Sequence, residues 1–107
     1  MNNPLVSSKS YKYNFSIICC ARWEKRYIGE WLAYYHEIGF DHVYLICNDD
    51  DPVPFFESVK AAPVPESFYS LTFWPTKGEQ YNMYVNTLQQ ARDETNWVAF
   101  FDVDEFL

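Results

Sequence analysis

Trp97–Leu107 reads WVAFFDVDEFL. Five apolar residues, Trp97 to Phe101, run straight into Asp102, Asp104 and Glu105. An apolar run without period-2 alternation predicts a strand buried on both faces, the kind found at the centre of parallel sheets covered by helices. The acidic group then sits where that strand leaves the sheet at its carboxyl end, and open α/β sheets bind their ligands there. In extended chain, Asp102 and Asp104 point to one side and Val103 to the other. Two carboxylates on one side offer oxygen ligands to a hard divalent cation while Val103 packs. The competing reading is a solvated loop, because a bare D-x-D occurs in many chains and gains meaning only from its surroundings.

Those surroundings repeat the pattern upstream. Phe15–Ala21 (FSIICCA) is a second unbroken apolar run and Val43–Cys47 (VYLIC) a third. Phe68–Trp74 predicts a further strand with impure alternation. Between them, Glu24–Ile38 has helical spacing, with Ile28, Trp31, Leu32, Tyr35 and Ile38 on one face and Gly39 placed to end the helix. Asp51 before Pro52 predicts an N-cap followed by proline at the first helical position, opening a short helix over Val53–Ala61 that Pro63 and Pro65 break. Thr76-Lys77-Gly78 is a turn, and the lone Gly-Lys pair makes no phosphate loop. Glu79–Thr95 predicts the second long helix, with Tyr81, Tyr84, Val85, Leu88 and Ala91 along one face.

Strands alternating with helices predict an α/β fold, a Rossmann-like three-layer sandwich around a parallel sheet. With right-handed crossovers, the sheet runs outward from its first strand and returns to add the fourth beside it, giving the order 3-2-1-4. The switch point then lies between the first and fourth strands. A ligand there is flanked by Cys20, Ala21 and Arg22 on one side and by Asp102 to Glu105 on the other.

Composition narrows the classes. With 107 residues, 49% of them hydrophobic, the chain suits one domain with a real core rather than a disordered segment. Aromatics at 21% imply a bulky core and an aromatic-lined pocket. A net charge of −7 argues against nucleic acid as a partner, since no basic stripe exists to displace counterions. It leaves room for a nucleotide held through a metal ion. Residues 1–14 are polar, read as a flexible leader ahead of the domain at 15–107, and lack the apolar core of a signal peptide. No run of about 18 or more apolar residues predicts a membrane span. Cys19, Cys20 and Cys47 fall in apolar runs and read as buried free thiols in a reducing, cytoplasmic compartment. Their spacing with His36 or His42 fits no zinc pattern, and adjacent Cys19 and Cys20 would face opposite sides of a strand.

The ordered set resembles the amino-terminal half of a GT-A glycosyltransferase domain, closest to family 2-like and family 92-like members. Their motif Trp-x-x-x-x-Asp-x-Asp-Glu-Phe appears as Trp97, Asp102, Asp104, Glu105 and Phe106. Glu30–Gly39 resembles the family's E-W-x-x-Y-H-x-x-x-G helix with one extra residue, Tyr35, before His36. Gln80, Tyr84 and Asn86 resemble the helix that precedes the metal strand. The match spans about Phe15 to Leu107.

The resemblance implies a UDP- or GDP-sugar donor, a glycan or other hydroxyl acceptor, and Mn²⁺ or Mg²⁺ bridging the donor diphosphate to Asp102 and Asp104. Asp104 is then the direct ligand, Asp102 serves the ribose or a metal-bound water, and Glu105 stands behind them. The donor-binding set it implies is Cys20, Ala21, Arg22, Asn48, Asp49, Asp50 and Asp102, with Asn48 standing where many relatives carry the acid that meets the base. The general base and the acceptor half are expected beyond Leu107, so the chain reads as a fragment. Two other classes compete: a noncatalytic nucleotide- or metal-binding module, and an α/β interaction domain without a ligand.

Overall fold

The computed structural model describes residues 11–23 and 25–103. Strands β1 (Tyr13–Ala21), β2 (His42–Cys47), β3 (Tyr69–Phe73) and β4 (Thr95–Phe100) alternate with helices α1 (Ile28–Glu37), α2 (Val53–Lys60) and α3 (Gln80–Ala91). A single 3-10 turn, Glu66–Phe68, leads into β3. Every strand pair is parallel and the order is β3-β2-β1-β4, as the alternating runs predict. The fold is Rossmann-like, and its switch point lies between β1 and β4.

Alternation along the strands divides the core into two layers. On one face, Ile17, Cys19, Ala21, Val43, Leu45 and Cys47 meet Ile28, Trp31, Leu32 and Tyr35 of α1 and Phe55 and Val59 of α2. On the other, Ile18, Tyr44 and Ile46 meet Met83 and Ala91 of α3. Cys19 and Cys20 part to opposite faces, as neighbours in a strand must. Each large side chain fully buried here contributes about 1.5–3 kcal/mol.

The strand at the acidic end departs from expectation. β4 is the outermost described strand on its side of the sheet, and its faces are only partly covered. Trp97 is 64% exposed and Phe100 47% exposed. Its apolar run therefore reflects an apolar edge and not a strand enclosed by helices.

The helices differ in detail. α1 begins at Ile28 rather than at 24, because residues 25–27 form a turn. Ile38 follows the helix and lies exposed. Gly39 ends α1 with φ 107°, a left-handed conformation that glycine adopts freely. At α2, Pro52 is the N-cap, one residue later than the spacing suggests, and Asp51 Oδ1 accepts the Val53 N–H at 3.1 Å. α3 buries Met83 and Ala91, with Tyr84 half-buried, whereas Tyr81 is 79% exposed and Val85 and Leu88 are also exposed. The reason is position: α3 packs over β1 and β2, so its 81/85/88 side lies outside that packing. Tyr84 reaches the last strand through an edge contact with Phe100, 5.2 Å between ring centroids.

The leader also shortens. β1 starts at Tyr13, whose ring stacks on His42 at 4.2 Å, and Asp41 Oδ2 accepts the N–H groups of Asn14 and Phe15 at 3.0 and 2.9 Å. Residues 1–10 of the expected leader lie outside the described residues.

Candidate functional site

Parallel strands bring their carboxyl ends to one rim, and the residues just past those ends meet there. A cavity of about 310 Å³ opens at this rim, lined by Cys20, Arg22, Asn48, Gly78, Gln80 and Met83. β1 supplies Cys20 and its exit Arg22, β2 supplies Asn48, and the β3–α3 connection with the start of α3 supplies the rest. Cys20, Arg22 and Asn48 line one cavity at the ends of β1 and β2, whereas Asp102, expected on the other flank of a β1–β4 crevice, is not among its lining residues. Gly78 and Met83 were not foreseen as lining. Only the resemblance pointed to Gln80.

Asn48 is 5% exposed and its side chain is committed. Nδ2 donates to the carbonyls of Trp74 at 2.6 Å and Thr76 at 3.1 Å, tying the end of β2 to the loop after β3. Lys77 reinforces the tie: its ammonium donates to the Asn48 carbonyl and pairs with Asp50 Oδ1 at 3.2 Å. Gly78, at φ 75°, turns the chain towards α3. On the facing wall, Cys20 Sγ sits 3.2 Å from Met83 Sδ. Burial, then the charges of Asp102 and Cys47, push the Cys20 thiol up to about 11. It is therefore neutral at pH 7 and serves as a wall, not as a nucleophile.

The remaining sequence candidates separate. Ala21 is fully buried in the α1–α2 layer and offers no side-chain surface. Asp49 is 8% exposed, and its Oδ1 accepts the Trp23 N–H at 2.5 Å. Asp49 and Asp50 border a second cavity of about 290 Å³ together with Trp23, Lys25, Arg26, Asp51 and Pro54. Residues just past β1 and β2 thus line two different hollows.

Asp102 lies at the end of β4 with an exposed side chain, while its carbonyl accepts the Trp31 Nε1–H at 3.1 Å. Its charge reaches both Cys20 and Tyr84; burial is the first cause that raises the Tyr84 hydroxyl, with Asp102 adding to it. Val103 is 2% exposed and packs into the α1–α2 layer. Asp104 and Glu105 lie outside the described residues. Among the described residues, no group of three or more His, Cys, Asp or Glu side chains could hold a metal ion.

Both histidines stand apart from the rim. His36 is exposed and meets Phe68 edge-on at 4.8 Å. His42 is 3% exposed, with Nδ1 3.0 Å from the Ser67 carbonyl and Nε2 2.7 Å from Ser70 Oγ. A carbonyl only accepts, so Nδ1 carries the proton and Nε2 accepts from the serine hydroxyl.

No family model matches the chain. No solved structure matches it either. Three plant proteins, each named a glycosyltransferase family 92 protein, are similar to it. The one from Arabidopsis thaliana is 28% identical over 90 residues, covering 83% of this chain and 16% of that protein. The one from Oryza sativa subsp. japonica is 28% identical over 97 residues, covering 89% and 16%. The one from Ricinus communis is 29% identical over 109 residues, covering 99% and 19%. The chain thus spans less than a fifth of the length of the curated relatives it matches.

Proposed function

We propose, from this similarity to family 92 glycosyltransferases, that the chain is the donor-binding part of a glycosyltransferase. Its ligand is a nucleotide-sugar, and the acceptor is a hydroxyl group bound by other parts of the enzyme. The observation that carries the reading is a juxtaposition. The cavity of Cys20, Arg22 and Asn48 lies at the same rim as Asp102, and the Asp102 charge is felt at Cys20.

Within that reading each side chain has a task. Arg22 offers planar, charged donors to the diphosphate, and it is the cation among the residues that line the cavity. Met83 and Cys20 give an apolar wall for a flat base. Gln80 offers both a donor and an acceptor at the mouth. Asn48 shapes the cavity instead of reading the base, because its amide is already held by two carbonyls.

Within this reading a hard divalent cation, Mn²⁺ or Mg²⁺, would be held by Asp102 and Asp104, which the sequence sets two positions apart. Oxygen ligands of this kind suit such ions, which take one or two carboxylates and complete their shell with phosphates and water. When bound, the ion supplies positive charge against the leaving diphosphate.

Calorimetric titration of Mn²⁺ with and without UDP tests the proposal. UDP strengthens Mn²⁺ binding, and by linkage Mn²⁺ strengthens UDP binding by the same factor. Asp104→Asn removes the coupling and leaves the fold intact. Equal coupling in that variant would mean that the carboxylates are only a solvated loop end.

A further inference from the structure

Trp23 is the one non-glycine residue with positive φ among the described residues, at 62°. L residues enter this region at a steric cost, and a bulky one stays there only when its surroundings impose it. The imposing group is identifiable. Asp49, almost fully buried, takes the Trp23 N–H on Oδ1. A buried carboxylate needs such donors, so the bond serves both partners.

The turn has a consequence for Arg22. The Trp23 indole is 71% exposed, and the Arg22 guanidinium stacks over it with Cζ 4.2 Å from the ring centroid. Arg22 lines the cavity with Cys20 and Asn48, and Trp23 lines the second one. The stacked pair therefore links the linings of the two hollows. An arginine side chain that is free in water loses much rotamer entropy on binding an anion, whereas one laid on an aromatic ring has already lost part of it.

We propose that Asp49 is a positioning residue for the donor site. It sets the left-handed turn at Trp23, the indole holds Arg22, and Arg22 meets the anionic diphosphate of a nucleoside diphosphate. This rests on the donor-binding reading above, and it removes Asp49 from the groups that touch the donor.

The test uses the chain labelled with 5-fluorotryptophan, with UDP as the probe. In the ligand-free fluorine spectrum, the resonance lost in Trp23→Phe is that of Trp23. Asp49→Ala shifts or broadens this resonance and leaves that of buried Trp31 in place, which also reports that the core is folded. Asp49→Asn keeps an acceptor oxygen and keeps the resonance near its wild-type position. An unmoved Trp23 resonance in Asp49→Ala would overturn the proposal. In calorimetry, Arg22→Ala weakens UDP binding about tenfold, the worth of a charge-assisted hydrogen bond. Asp49→Ala weakens it less, and the double variant binds no worse than Arg22→Ala alone, because Asp49 acts through Arg22. Additive losses would show that Asp49 touches the nucleotide itself and would overturn the proposal. Absence of UDP binding by the wild-type chain would overturn the donor reading, and the fluorine spectra would then decide alone whether Asp49 sets the turn.

Discussion

The indole Nε1–H of Trp31 donates to the backbone carbonyl of Asp102 at 3.1 Å, joining α1 to the end of β4 across 71 positions of sequence. Trp31 is fully buried and packs against Tyr35 with ring centroids 4.7 Å apart, so the donor itself is well fixed. The bond fixes the backbone at the residue whose charge acts on Cys20 and Tyr84.

Replacing Trp31 with Phe keeps an aromatic ring but removes this donor. Stability falls by about 1–3 kcal/mol, from the lost bond and the smaller ring. Under the proposed function, UDP-dependent Mn²⁺ binding weakens as well, because Asp102 is no longer fixed. Urea unfolding and calorimetry on the same protein check both effects. Unchanged coupling in a destabilised variant would limit the bond to a structural role.

Asn48→Asp installs the acid that the family resemblance would lead one to expect here, yet it is predicted to harm this chain. The new carboxylate would face the Trp74 and Thr76 carbonyls that the amide now serves. An ionised group set against two acceptors in a buried place costs about 2–4 kcal/mol. Urea denaturation at pH 7 measures the loss. A stability equal to wild type would mean that the loop repacks around the new carboxylate.

Acid sensitivity follows from His42. Burial lowers its pKa below the ordinary 6.5, against opposing contributions from the Ser67 hydrogen bond and Glu94. Below 6.5 the unfolded chain binds a proton that the folded one resists, so stability falls as pH drops from 6.5 towards the folded pKa. The slope is at most about 1.4 kcal/mol per pH unit for one group. Chemical denaturation between pH 7.5 and 5 reads it, and His42→Gln flattens the curve in this window.

β4 is an edge strand among the described residues, with Trp97 exposed on one face of the sheet and Phe100 on the other, and an open edge promotes association between chains. Analytical ultracentrifugation of the 107-residue chain therefore shows concentration-dependent self-association. Trp97→Lys reduces it, because an edge lysine discourages pairing. It costs less than about 1 kcal/mol, since Trp97 is 64% exposed.

The parallel sheet and its order were legible in the sequence because the apolar runs at Phe15–Ala21, Val43–Cys47 and Trp97–Phe101 are separated by segments with helical spacing. Right-handed crossovers leave few ways to connect them. Periodicity also divided Cys19 from Cys20, since that outcome needs only the alternation of a strand. Hydrophobicity alone could not say how fully an apolar residue is covered. Trp97 and Tyr81 looked like core and are exposed, because coverage depends on where a neighbouring element lies and not on the residue's own character. The rim divided in the same way. Cys20 and Arg22 were recognisable from their place at a strand end and Asn48 from the resemblance, whereas Gly78 and Met83 join them only through the crossover from β3 to α3. Tertiary structure likewise decided the roles of Asn48 and Asp49. Their side chains are spent on carbonyls and on a left-handed amide that come from 26 or more positions away, and no local pattern records such partners.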